Sequence, residues 1–163
     1  MKHNVLWGAL LVAAVLAGCA ATHPEALKTG ASAEEIRAQM GVPAATHTLP
    51  DGGKRLEFQG SGARTFMLDV DASGRLLRWQ QVRTEASFRS LGAGMTQEQV
   101  RAALGQPDEI SSVGRQRDEV WSWNFRNIEC QWFQIGFGSD GRTTSGGTMA
   151  LTPTCLRGGG GGF

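Results

Sequence analysis

The segment Gly94-Met95-Thr96-Gln97-Glu98-Gln99-Val100-Arg101-Ala102-Ala103-Leu104-Gly105-Gln106-Pro107 is written twice in this chain, the other copy being Gly30-Ala31-Ser32-Ala33-Glu34-Glu35-Ile36-Arg37-Ala38-Gln39-Met40-Gly41-Val42-Pro43. Gly30 and Gly94, Ser32 and Thr96, Ile36 and Val100, Arg37 and Arg101, Met40 and Leu104, Gly41 and Gly105, and Pro43 and Pro107 fall at one constant offset, which marks an internal repeat. Each copy carries start and stop signals for a short helix. Ser32 or Thr96 can cap the amide three residues on, while Glu35 or Gln99 reaches back in a capping box. Gly41 and Gly105 suit a left-handed residue past the last turn, and the proline two positions later forbids continuation. Ile36 and Met40, like Val100 and Leu104, are four apart and share one face. A stripe that narrow cannot hold a helix in isolation, so each must lie on something, most simply a sheet.

Strands follow each copy. Leu56-Glu57-Phe58 begins one, Thr65-Phe66-Met67-Leu68-Asp69-Val70 alternates with Phe66, Leu68 and Val70 on one side, and Asp71-Ala72-Ser73-Gly74 turns the chain into a third from Arg75 to Val82, with Leu77 and Trp79 on one face. In the second half, Val120 to Phe125 and Gln131 to Phe137 take the same places, and Phe133, Ile135 and Phe137 stand where Phe66, Leu68 and Val70 stood. Ser139-Asp140-Gly141-Arg142 repeats the hairpin, and Gly146-Gly147 interrupts the last strand. Pro24 to Lys28 and Thr84 to Leu91 read as short helices preceding the signature ones. The expected fold is therefore α+β, with two tandem helix-helix-three-strand units whose antiparallel sheets carry helices on one face. Units of about 60 residues are marginal alone, so the halves should be fused and not strung on a linker.

At the front, Lys2 and His3 precede an apolar run from Val5 to Ala17, then Leu16-Ala17-Gly18-Cys19. The run is shorter than the ~20 residues that cross a bilayer and has the length of a signal-peptide core. Leu-Ala-Gly-Cys resembles the lipobox of bacterial lipoproteins, which implies cleavage before Cys19 and acylation of that residue, an anchor of several acyl chains. Ala20 stands where inner-membrane retention signals place Asp, so the same resemblance implies the outer membrane, with the chain facing the periplasm. Residues 1–18 are then leader, 19–29 tether and short helix, 30–84 and 85–156 the two units, and 157–163 a Gly-rich flexible tail. Without Lys2, basic and acidic residues balance at 15 each, which argues against nucleic acid and against electrostatic membrane binding.

Once Cys19 is set aside, Cys130 and Cys155 remain as an even pair for a disulfide in an exported protein. Such a bridge stabilises by about 3 to 4 kcal/mol in the chain-entropy model. Two unrelated buried thiols are the alternative. Catalytic constellations are scarce. The histidines, His3, His23 and His47, lie in the leader, the tether and a loop, and His47 is expected to be solvated, with no nucleophile elbow near it. No metal-ligand spacing, phosphate cradle or complete calcium loop is present; Asp69 and Asp71 are at most a fragment of one. No catalytic residue, metal or cofactor is assigned. The tryptophans are the better candidates: Trp79 and Trp132 are expected to be partly exposed on strands as protein-binding residues, while Trp121 and Trp123 either share that role or fill the seam between the units.

The pattern Gly-Met-Thr-x-x-x-Val-x-x-x-Leu-Gly-x-Pro, met by Gly94, Met95, Thr96, Val100, Leu104, Gly105 and Pro107 behind an export signal, resembles the BamE (SmpA/OmlA) family of outer-membrane lipoproteins. The first copy departs from it at Ala31, Ser32 and Met40, and the family usually has one unit where this chain has two. The resemblance implies short helices on a three-stranded sheet, and a non-enzymatic role binding envelope proteins near the machinery that assembles β-barrel proteins. Two such units in tandem also resemble the β-lactamase inhibitor proteins, which implies the alternative of a periplasmic module that binds an enzyme through a concave sheet.

Overall fold

A computed structural model describes residues 23–114, 118–125 and 130–153. Both signature helices form between the expected signals: α1 is Ala33–Met40 and α3 is Gln97–Leu104, with a five-residue helix, α2 (Glu85–Arg89), before the latter. Ser32 and Thr96 each accept from the third residue on, and Glu35 and Gln99 each accept from the cap amide, so both capping boxes are complete. Acidic residues, Glu34 and Glu98 among them, occupy the first turns, where the helix dipole favours them. Pro24–Ala26 makes only a single 3-10 turn, so the first half has one α-helix and not a pair.

The strands are β1 (Ala45–Thr48), β2 (Lys54–Gln59), β3 (Thr65–Val70) and β4 (Leu76–Gln81), then β5 (Glu109–Val113), β6 (Asp118–Phe125), β7 (Gln131–Phe137) and β8 (Thr148–Leu151). They form two four-stranded antiparallel sheets, each a meander in chain order. The fold is thus mixed α+β, and its sheets have four strands where three were expected. The additional strands, β1 and β5, lie directly after each Gly-x-Pro: they are short and polar, and only their pairing with β2 and β6 makes them strands.

The same hydrogen bonds recur in the two halves. Gly30 N donates to Leu76 O at 2.7 Å, Leu76 N to Ala31 O at 2.8 Å, and Arg75 Nη1 to Gly30 O at 3.1 Å. Gly94 N donates to Thr143 O at 2.8 Å, Thr143 N to Met95 O at 2.9 Å, and Arg142 Nη1 to Gly94 O at 2.8 Å. The glycine that opens each copy is therefore pinned to the residues leaving the hairpin, an arginine and its successor.

Two apolar cores result. Ile36 and Met40 of α1 pack on Phe58, Phe66, Leu68, Val70 and Leu76. Phe88 of α2, Leu91, and Val100 and Leu104 of α3 pack on Trp121, Trp123, Phe133, Ile135 and Phe137. Trp121 and Trp123 are fully buried here, each removing on the order of 200 Å² from water. They fill the second core under α3 and neither the seam nor an open face. The ladder shifts between Asp69 and Val70, so Leu76 pairs with Val70 while Trp79 pairs with Leu68. That irregularity puts Leu76 and Trp79 on the core side together and leaves Leu77, expected there, 45% exposed. After the second hairpin the chain stays out of register until β8, because Gly147, at φ +80°, runs against the Phe133 ring where a Cβ would sit 2.4 Å away.

The cap glycines depart from the left-handed geometry expected of them. Gly41 has φ 80°, ψ −145° and Gly105 φ 83°, ψ −174°, a region essentially closed to residues with a side chain. Around Gly41 a Cβ would meet nothing within 4 Å, whereas at Gly105 it would lie 2.8 Å from Glu57 Oε1 and 2.9 Å from Thr65 Cγ2. Gly41→Ala should therefore cost about 1 to 3 kcal/mol of backbone strain, and Gly105→Ala distinctly more, since it also forces α3 off the first sheet. Equal shifts in urea midpoint for the two variants would contradict this packing.

Candidate functional site

The end of α3 lies on the first sheet, on the face away from α1, and that face is polar. Arg55 and Asp69 form a two-pronged ion pair at 2.6 and 2.8 Å, and Arg78 adds a third contact to Asp69 at 2.8 Å. Arg55 also donates to Ala102 O at 2.9 Å, filling a carbonyl that the last turn of α3 leaves open and placing a cation at the negative end of the helix. Beside it, Glu57 is fully buried; its Oε1 accepts from Gln106 N at 3.0 Å and from Gln59 Nε2 at 2.7 Å, and its Oε2 faces His47 Nε2 at 3.6 Å. Arg83, 3% exposed, holds the connecting segment by donating to Asp108 and to Gln106 O.

Burial pushes the Asp69 carboxyl up, but hydrogen bonds from Arg55 and Arg78 and their charges outweigh it and hold the group below its ordinary value. The hydrogen bond to Asp69 in turn holds the Arg55 guanidinium above its own. Asp69 is thus an ion-pair residue and not part of a calcium loop, and Asp71 spends its carboxylate on its own turn, accepting from Ser73 N and Arg75 N. Contrary to expectation His47 is not solvated: it stands in β1 with its side chain 11% exposed, directly across from Arg55. The four-residue strand that carries it was too short and polar to register.

Trp132 is corrected as well. It does face away from α2 and α3, yet it is 8% exposed, because β7 is an inner strand and Asn124 and Ala150 flank it on either side. Trp79 is half-buried and packs edge-on against Phe66 at 6.2 Å, so its ring belongs to the first core. The polar face of the first sheet, the other place where a partner could have lain, is filled by α3: Thr65, Met67 and Asp69 are all at most 5% exposed. Cys19 and Cys155 lie outside the described residues, as do the leader and the Gly-rich tail. Cys130 has φ 54° immediately before β7, and its Sγ lies 3.4 Å from the Thr152 hydroxyl. Among the described residues no group of three or more His, Cys, Asp and Glu is placed to hold a metal, and no helix is long and apolar enough to cross a membrane.

What remains open to a partner is an edge. Among the described residues β5 pairs only with β6, and its Ile110 and Val113 are each 54% exposed. Such an edge, with no proline or lysine in it, is a template for another strand. Sequence reasoning missed this surface because it missed the strand; Ile110 and Val113 among serines were its one signal. No family model, curated protein or solved structure matches the chain.

Replacing Asp69 with Asn leaves Arg55 buried without its counter-charge, and roughly 3 to 5 kcal/mol of stability should be lost at neutral pH. A carboxyl whose native pKa is depressed stabilises fully above its unfolded value, about 3.9, and the contribution disappears as pH falls through the lower native one. The urea-unfolding curves of wild type and Asp69→Asn should therefore converge in acid. A gap undiminished at pH 2 would mean that the ion pair is not what the substitution removes.

Proposed function

We propose that this chain is an outer-membrane lipoprotein that binds other envelope proteins and performs no catalysis itself, built as two tandem BamE-like units behind an acylated Cys19. The observation that carries the reading is the open edge of β5, whose unpaired backbone and exposed Ile110 and Val113 suit strand addition by a partner. The repeated Gly-x-[Ser/Thr] segments with complete capping boxes support the family resemblance. Lipid anchoring supplies the rest of the mechanism, since confinement near one membrane raises effective concentration and lets a modest surface be occupied. Proteins of the β-barrel assembly machinery are the partners this reading favours, on the periplasmic side of the membrane. The inhibitor-like alternative requires an open concave sheet, and the polar face of the first sheet is already covered by α3.

Two experiments test it. Cys19→Ser should abolish fatty-acid labelling and move the protein from the outer-membrane fraction to the soluble one; an unlabelled wild-type chain would end the lipoprotein reading. Ile110→Lys with Val113→Lys puts charges on the edge at exposed positions, so the urea midpoint should stay within about 0.5 kcal/mol of wild type. Capture of barrel-assembly components from detergent-solubilised envelopes should fall at least tenfold. Unchanged capture would place the docking surface elsewhere.

A further inference from the structure

Between α2 and the β7–β8 edge lies a cleft of about 220 Å³ that the readings above leave unused. Its floor is aromatic: the Phe88 and Phe133 rings stack at 4.4 Å and 7°, and Met149, partly buried, packs against the same core. Gly147 runs past the Phe133 ring with bare backbone, so no side chain covers the floor from that side. The cleft is smaller than the roughly 300 to 1,000 Å³ that holds a drug-sized molecule and suits a single side chain. Arg89 and Gln131 stand at its wall.

We infer that this cleft is a binding site for one aromatic side chain, and that its occupant in the chain itself is Phe163. Past Phe137 the sequence holds no other aromatic residue, and Phe163 hangs from the Gly158 to Gly162 run. Ten residues lead to it from Pro153, the last described one. Extended they reach about 35 Å, and as a Gly-rich coil they span about 17 Å on average. Met149, on the cleft wall, lies only four residues before Pro153, at most about 13 Å back along the strand. Tether length and the distance to be retraced match, the condition under which effective concentration is highest. A Cys130–Cys155 bridge would root the tail closer still, since Cys130 adjoins Gln131. The ring would meet the Phe88–Phe133 pair and the Met149 thioether, both favourable neighbours for an aromatic edge or face.

The test uses the full mature chain labelled at methionine methyls. A nuclear Overhauser contact between the Phe163 ring and the Met149 methyl is expected, and Phe163→Ala should abolish it and shift the Met149 methyl while those of Met40 and Met67 stay in place. N-acetyl-phenylalanine amide added to Phe163→Ala should restore the shift, and the same concentration should do less to the wild type, whose cleft is filled. A Met149 methyl indifferent to Phe163→Ala overturns the proposal, as does one that responds to Leu156→Ala in place of Phe163→Ala. Because neither readout involves the β5 edge or the membrane, the result stands or falls apart from the proposed function.

Discussion

Everything in this molecule depends on how closely α3 approaches the first sheet. A helix end brings unfilled carbonyls and a partial negative charge; the sheet face that receives it brings Arg55, Asp69 and a buried Glu57. These groups satisfy one another only because Gly105 has no side chain, so that Glu57 can take the Gln106 amide. With a methyl group at that position the helix would stand off, and a carboxylate and a guanidinium would be stranded in a space too dry to solvate them. One missing Cβ thus holds together a layer of charge between two apolar cores.

That arrangement separates the two copies of the repeat in kind. Gly41 and Gly105 serve the same backbone turn, but only Gly105 has a neighbour packed on it. Likewise Arg75 and Arg142 pin equivalent glycines, while Arg55 and Asp69 have Val120 and Gly136 at the matching ladder positions of the second sheet. The hydrogen bonds that build each half were kept alike, and those that join the halves exist once. The seam is polar because each core is already complete on its own helix side, and what remains to face the neighbour is the alternate set of residues along β2 and β3.

Local signals made much of the fold legible in the sequence. The capping boxes at Ser32 and Thr96, the turn at Asp71 to Gly74, and the alternation that bounds Thr65–Val70 and Gln131–Phe137 all depend on residues within one element and its immediate flanks. What was not legible depends on contacts between elements. Ala45–Thr48 and Glu109–Val113 are strands because β2 and β6 offer them an edge; the slip at Asp69 and Val70 moves Leu76 inward and Leu77 outward, a choice alternation alone cannot make. His47 and Trp132 were misread for one reason: exposure was inferred from position in the chain and strand parity, while β1 pairing and the inner place of β7 determine it. The surface best suited to a partner, the β5 edge, was invisible for the same cause.

The order in which the meanders are laid down has its own consequence. Each sheet pairs only neighbouring strands, so most of its contacts close over short spans and can zip early. A chain that emerges amino end first finishes the first sheet at Gln81, well before Leu104 completes α3. Through that interval Glu57 and Asp69 face water, where charge is tolerated, and not a sticky apolar face awaiting its cover. The half-made molecule is therefore shielded from aggregation by the same residues that later fasten its second half.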